Sequence, residues 1–278
     1  MKILLTHGDG LPWATYNRCI ELQKRWTTDI VDVKRCADTI DYDYYDVIHP
    51  MFSGGLSLYY KDIAKKYKDK FYSCVASFRT LEGVHDDVGI LKNIYKHSKK
   101  IVVQNKQLKD GLIKLIGERE GIVYIPNGVD ENKFKKDIVV GYVGCKNEND
   151  RIHKGYYLVK QACKELGVTF KRAVNDYPVS ITKHEDMPSF YSSISCLVIP
   201  SKSEGCNNPI LEALAMNVPV VATNTGIVPE LNVSIVTREI ESIKTGIKKA
   251  VPRFEILEKY TWDIVAKQYR DLYELEPQ

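Results

Sequence analysis

The sequence predicts an α/β protein built from two parallel, doubly wound units. Short apolar or β-branched runs alternate with helical patterns along most of the chain. That alternation restarts after a polar, Lys-rich stretch at 132–137. The length of 278 residues suits two domains of about 120–140 residues, or one large α/β domain. Hydrophobic residues at 44% and charged residues at 27% exclude a disordered chain, a collagen-like rod or a coiled coil.

The elements follow in order. Residues 2–6 form an apolar run closed by the turn His7-Gly8-Asp9-Gly10, so they are read as a first buried strand. A helix is expected over 14–25, with Tyr16, Ile20 and Leu22 toward the core. Strands follow at 29–33, 47–49, 71–75, 100–104 and 122–125, and helices at 57–67 and 108–116. Past the boundary, residues 138–143 are a β-branched run ending at Gly144. A helix at 154–166, strands at 168–172, 196–200 and 218–223, and helices at 209–215, 239–251 and 262–275 complete the pattern.

Forty Lys and Arg against 36 Asp and Glu leave a formal charge of +4, which permits an anionic substrate without demanding one. A dedicated nucleic-acid binder is usually more lopsided. The seven cysteines include no Cys-x-x-Cys pair, which argues for reduced thiols rather than a disulfide framework or a zinc site. No apolar run approaches the roughly 20 residues of a membrane span, and the first apolar stretch is too short for a signal-peptide core. A cytoplasmic protein, with room for peripheral contact at the inner membrane face, is the expectation.

The most informative segment is Pro200-Ser-Lys-Ser-Glu-Gly-Cys-Asn-Asn-Pro-Ile-Leu-Glu-Ala-Leu-Ala215. A strand ends at Pro200, a polar loop carries Glu204 and Gly205, and a helix begins near Asn208 or Pro209. Helix-start N–H groups beside a glycine suit a diphosphate. Glu204 on the loop and Glu212 one turn inside the helix can face one crevice at the carboxyl ends of parallel strands. Carboxylates beside a phosphate site are suited to accept hydrogen bonds from sugar hydroxyls. Two glutamates at this spacing occur often by chance, so the strand–loop–Pro–helix setting carries the weight.

That segment resembles the E-x7-E element of the retaining GT-B glycosyltransferases, in particular family 4. The resemblance extends to Ile125-Pro-Asn-Gly-Val-Asp130 with Phe134, and to Val140-Gly-Tyr-Val-Gly144 followed by His153-Lys-Gly155. It continues through 187–191, 196–201, Val218-Pro-Val-Val-Ala222, Gly226 and Pro229-Glu230, so that it covers roughly residues 122–236. The first half matches only in architecture. The resemblance implies a GT-B fold, with two Rossmann-like domains facing a cleft. An acceptor-binding domain would span 1–133 and a nucleotide-sugar-binding domain 134–260. A final helix, 261–278, would cross back to the first domain.

By the same resemblance the protein is a metal-independent enzyme that moves a sugar from a nucleotide-diphosphate sugar, most simply UDP- or GDP-linked, to a hydroxyl. The configuration is retained and no cofactor is required. The acceptor is a glycan or lipid-linked glycan. Lys154 would pair with the diphosphate, Glu204 would hold a donor-sugar hydroxyl and Glu212 the ribose. Asn207, Asn208 and Gly205 would supply the phosphate-binding turn. The stretch 180–185, with Ile181, would lie near the base.

The sequence also departs from the pattern. Cys145 stands where the family usually has Arg, so Lys146 or Arg151 is the candidate replacement cation, although lysine lacks the planar fork. No His occurs in the segment Ser73-Cys-Val-Ala-Ser-Phe-Arg-Thr80, where Arg79 is the nearest charged candidate; His85 follows later. Gly8 and Gly10 would allow close backbone approach to the cleft. Asp41-Tyr-Asp43 precedes a strand rather than following one, so it is read as a solvated loop and not a metal site. Lys61, Lys65, Lys66, Lys68 and Lys70 are expected to form a solvated face, with contact to acidic lipid or nucleic-acid phosphate as the alternative. The competing functions are a nucleotide-sugar-binding protein that has lost catalysis, a transferase acting on a modified nucleic-acid base, and a GT-B epimerase or phosphorylase.

Overall fold

A computed structural model describes residues 1–8, 14–26, 28–32, 39–51, 57–84, 86–145, 148–175 and 182–274. The chain divides into two compact units, Met1–Asp130 with Lys259–Gln278, and Glu131–Glu258.

The first unit contains β1 (Ile3–His7), α1 (Ala14–Gln23), β2 (Thr28–Asp32), β3 (Val47–Pro50), α2 (Ser57–Lys66), β4 (Tyr72–Val75), α3 (Phe78–Leu81), α4 (Val88–His97), β5 (Lys100–Val103), α5 (Lys106–Ile116) and β6 (Ile122–Tyr124). Its sheets run β2-β1-β3 and β4-β5-β6, all parallel. A parallel bridge between Ile48 and Phe71 brings β3 beside β4. Every residue of β1, β3 and β4 is buried, as parallel strands covered on both faces require. The helices start on side-chain caps. Asp87 accepts the Ile90 N–H at 2.9 Å, and Asn105 accepts the Leu108 N–H at 2.8 Å.

The second unit contains β7 (Val139–Cys145), α6 (Glu148–Lys154), α7 (Tyr156–Leu166), β8 (Thr169–Asn175), α8 (Met187–Ser192), β9 (Cys196–Ile199), α9 (Asn208–Ala215), β10 (Val220–Thr223), β11 (Ser234–Val236), α10 (Ile240–Ala250) and α11 (Arg253–Lys259). They build one parallel sheet in the order β11-β10-β9-β7-β8. Side chains alternate along β9. Leu197 and Ile199 enter the apolar layer with Phe190 and Ile210, whereas Cys196 and Val198 enter the layer with Val159 and Ile243. The chain winds from β7 outward to β8, then back to β9 and onward to β11. The winding direction therefore reverses between β7 and β9, and ligands of such sheets bind at that reversal, outside the carboxyl ends of the strands.

The last helix, α12 (Trp262–Glu274), belongs to the first unit. Trp262, Val265, Ala266, Tyr269, Leu272 and Tyr273 recur at helical spacing and pack into the core of Leu5, Met51 and Cys74. The Val129 N–H donates to the Tyr260 carbonyl at 2.7 Å at its entry. Beneath it, His49 Nδ1 lies 2.7 Å from the Tyr273 hydroxyl. Burial, with the Arg18 charge adding to it, pushes the His49 pKa down to about 3, so the imidazole is neutral.

The structure revises several local expectations. The helix expected over 154–166 is α7, which starts only at Tyr156 after a break at Gly155, and a separate helix, α6, ends at Lys154 just before it. Lys154 therefore ends a helix instead of starting one. The core face of α1 is Thr15, Arg18, Cys19 and Leu22, while Tyr16 and Ile20 are only half-buried. Four helices, α3, α4, α6 and α11, have no counterpart in the sequence expectations; α11 buries none of its residues fully, which leaves no apolar stripe to read. Strand β8 runs on to Asn175.

Trp262→Ala removes an aromatic side chain that is 7% exposed, and it is expected to destabilise the first unit by about 3–5 kcal/mol. Urea unfolding against Lys267→Ala, a control expected to stay within about 0.5 kcal/mol, measures this.

Candidate active site

A cavity of about 330 Å³ opens in the second unit and is lined by Val143 and Gly144 from β7 and by Ala173 and Val174 from β8. Lys154, Thr182, Met187, Glu204, Cys206, Asn207, Asn208 and Pro209 complete it. It therefore sits at the carboxyl ends of strands beside the reversal in winding.

Two loops bring the charges together. Lys154 Nζ lies 2.6 Å from Glu204 Oε1, with the side chains 29% and 12% exposed. Gly155, at φ 76°, turns the chain immediately after Lys154. A Cβ there would lie 2.6 Å from Pro200 Cγ and 2.8 Å from the Pro200 carbonyl oxygen, so only glycine lets the two loops approach this closely. The Lys202 N–H donates to the His153 carbonyl at 3.0 Å, and Thr223 Oγ1 donates to the Ser201 carbonyl at 2.6 Å. On the far side the Ile227 N–H donates to the Gly205 carbonyl at 3.1 Å. Gly226, at φ 56°, packs so tightly that a Cβ would strike the Gly205 carbonyl oxygen.

Burial alone pushes the Glu204 carboxyl up. The hydrogen bond and charge of Lys154, with a smaller contribution from Asn207, outweigh it and hold the group below its ordinary value. Glu204 is thus a carboxylate at neutral pH.

Helix α9 begins at Asn208, with Asn207 at the N-cap but making no side-chain cap bond. Asn207 turns toward Glu204 instead. The positive end of the α9 dipole therefore meets the cavity without a capping oxygen of its own. One turn in, Glu212 Oε2 accepts the Tyr191 hydroxyl at 2.7 Å, and Glu212 Oε1 lies 3.4 Å from His184 Nε2. Burial first, and then this carboxylate, push the Tyr191 phenol pKa up, so Tyr191 is a fixed donor. Glu212 is not itself a lining residue, yet it is held against the segment whose Thr182 and Met187 do line the cavity.

The remaining candidates fall elsewhere. Gly10, Lys146, Ile181 and His85 lie outside the described residues. Arg151 stacks its guanidinium over the Tyr156 ring at 5.3 Å. Gly205 holds the loop through its carbonyl. Gly8 and Arg79 belong to the first unit, Gly8 buried after β1 and Arg79 exposed on α3. Asp41 accepts the Asp43 N–H at 3.1 Å, which caps a short 3-10 turn. Among the described residues no group of three His, Cys, Asp or Glu is arranged to hold a metal. Lys70 Nζ donates to the Tyr42 and Tyr45 carbonyls at 2.9 and 2.6 Å, and Lys66 sits 3.8 Å from Asp43. Lys61, Lys65 and Lys68 are exposed. No described helix is long and apolar enough to cross a membrane.

Sequence reasoning missed Tyr191 and His184 as partners of Glu212. It also missed Arg238, which bonds to backbone carbonyls of Ile152, His153 and Pro200. Contacts made to carbonyls 38–86 positions away leave no local sequence signal.

Comparison with known proteins bears on this unit first. Residues 137–249 match the family model described as glycosyl transferases group 1. The capsular polysaccharide biosynthesis glycosyltransferase CapM of Staphylococcus aureus is 28% identical over 166 residues, covering 50% of this chain and 43% of the relative. The match thus spans less than half the length of that curated relative. Among solved structures, Anabaena Alr3699/HepE in complex with UDP and glucose aligns at 14% identity and a TM-score of 0.46, covering 99% of this chain and 100% of that one. A sucrose-phosphate synthase from Thermosynechococcus elongatus aligns at 14% identity and a TM-score of 0.43, covering 98% and 97%.

Two predictions follow from the geometry. Gly167→Ala, at φ 66° with nothing near its new Cβ, reports backbone strain alone and should cost about 1 kcal/mol. Gly226→Ala adds a backbone clash and should cost roughly 1–2 kcal/mol more in urea unfolding. Because the Glu204 pKa is depressed on folding, the stability it lends is present above the ordinary glutamate pKa. That stability is lost as pH falls through the lowered folded value. Wild type should therefore be more stable than Glu204→Gln at pH 7, and the gap should close on acidification; a gap independent of pH contradicts the assignment.

Proposed function

We propose that this chain, whose second unit carries the group 1 glycosyl transferase domain, transfers a sugar from a nucleotide-diphosphate sugar to an acceptor hydroxyl with retention of configuration. The observation that carries the reading is the Lys154–Glu204 pair at the mouth of a cavity that also receives the start of α9. A cation and an uncapped helix start suit a diphosphate, and a carboxylate beside them suits a sugar hydroxyl. In this reading Glu212, whose carboxylate accepts the Tyr191 hydroxyl, takes the ribose hydroxyls. UDP and GDP are the first nucleotides to test.

In the reaction the acceptor oxygen bonds to the anomeric carbon as the bond from that carbon to the distal phosphate oxygen breaks. The leaving diphosphate takes the acceptor proton on the same face, so no protein carboxylate need act as nucleophile. Lys154 and the α9 N-terminus offset the charge that grows on the leaving group, which is the main electrostatic task of the step. As the diphosphate takes over the Lys154 charge, Glu204 is released to the sugar. The charge-offsetting role is assigned to Lys154 and the helix start, with no metal. A glycan acceptor fits the role of the CapM relative in capsular polysaccharide biosynthesis. Peripheral contact with an acidic surface would fall to Lys61, Lys65 and Lys68, since Lys66 and Lys70 have partners of their own.

Thermal shift with UDP-, GDP-, ADP- and dTDP-sugars tests the donor site. One nucleotide at a hundred times its dissociation constant should add about 2.7 kcal/mol of stability. The gain should vanish in Glu212→Ala and be indifferent to EDTA; no shift with any donor, or a shift abolished by EDTA, goes against the reading. Once a donor is known, Lys154→Met should lower kcat for transfer or donor hydrolysis by about 10²–10³.

A further inference from the structure

We propose that Arg238 is the positioning residue of this site, holding Lys154 and Glu204 in register from outside the cavity. The inference rests on the proposed roles of those two residues. Arg238 follows β11 and is half-buried. Its guanidinium Nη1 donates to the His153 carbonyl at 2.9 Å and to the Pro200 carbonyl in a very short contact, while Nη2 donates to the Ile152 carbonyl at 2.8 Å.

Those carbonyls come from two places. Ile152 and His153 are the two residues before Lys154, the last residue of α6. Carbonyls at a helix C-terminus have no donor within the helix, and a cation there also meets the negative end of the dipole. Pro200 closes β9 and begins the loop that carries Glu204 four residues later. One planar fork therefore ties the helix that ends in Lys154 to the loop that presents Glu204. The same joint carries the Lys202 N–H to the His153 carbonyl, at 3.0 Å, and His153 Nε2 beside the Ser203 carbonyl, also at 3.0 Å. Those bonds link the loops at single points. Among the described residues only Arg238 engages both backbones through one rigid group, which a lysine cannot reproduce. Arg238 is not a lining residue, so it acts through its neighbours.

The first unit contains the control. Arg119 clamps carbonyls in the same way, donating to Tyr95 at 2.7 Å and to Ser98 at 2.8 Å, at the end of α4 and outside the candidate site. A merely structural arginine should behave as Arg119 does.

The test is a carboxyl ¹³C NMR titration of the full chain labelled at glutamate Cδ, with the Glu204 signal identified by its loss in Glu204→Gln. In Arg238→Met the Glu204 midpoint should rise to or above the ordinary glutamate value, because its lysine partner is no longer held in place. In Arg119→Met the midpoint should stay at the wild-type value even though the protein is destabilised. Arg238→Lys keeps a charge without the fork and should give an intermediate midpoint; it also covers the case in which Arg238→Met does not fold. A Glu204 midpoint unchanged by either Arg238 substitution overturns the proposal. A second arm measures UDP and GDP binding by calorimetry. The nucleotide that wild type binds should bind at least tenfold more weakly to Arg238→Met and regain affinity on addition of millimolar guanidinium. If wild type binds neither nucleotide, the donor reading is what fails, and the Glu204 titration still decides the role of Arg238.

Discussion

The second unit is organised around one constraint: a lysine at a helix end and a glutamate on a loop must meet at the carboxyl end of a parallel sheet. At 2.6 Å, with Glu204 only 12% exposed, neither group is well served by water alone. Partly exposed pairs add little net stability, because desolvation offsets most of their attraction. The surrounding architecture is therefore better understood as holding the pair's geometry than as drawing stability from it. Gly155, Gly226, Thr223 and the carbonyl clamp of Arg238 all fix backbone, and backbone position sets where the two charges can stand.

The sheet topology explains why the pair stands at this end. Winding from β7 to β8 on one side and to β9 on the other opens a gap above the strand ends, bordered by the end of β7, by Lys154 and by the loop after β9. Helix α9 starts from that loop, so its dipole adds a fixed positive end to the same spot. Asn207 could have capped that helix. By turning to Glu204 it strengthens the carboxylate and leaves the helix start available to an anion. The first unit repeats the parallel winding but spends its polar residues differently. Arg18 and His49 are buried: Arg18 ties α1 to the Met51 carbonyl and the Cys74 sulfur, and His49 joins the returning helix to the sheet through Tyr273.

Much of this was legible in the sequence, for identifiable reasons. The strands of the second unit are β-branched runs bounded by Gly and Pro, and the Glu204-to-Ala215 segment announces a loop and then a helix. Lys154 was legible as a residue but not in its setting. Nothing in Tyr156–Leu166 shows that the helix begins only after Gly155, because the break depends on a distant Pro200. Tyr191, His184 and Arg238 were invisible as site residues, since each acts through a partner far along the chain. Arg151 was a reasonable substitute for the missing arginine at Cys145, yet its guanidinium lies on the Tyr156 ring.

The central claim is that a diphosphate takes the place of Glu204 at Lys154. A crystal structure of the chain with a bound nucleoside diphosphate measures this directly. The account predicts phosphate density within roughly 3 Å of Lys154 Nζ and of the first N–H groups of α9, with the Glu204 carboxylate moved off the lysine. Phosphate bound elsewhere, with the Lys154–Glu204 pair intact, would contradict it.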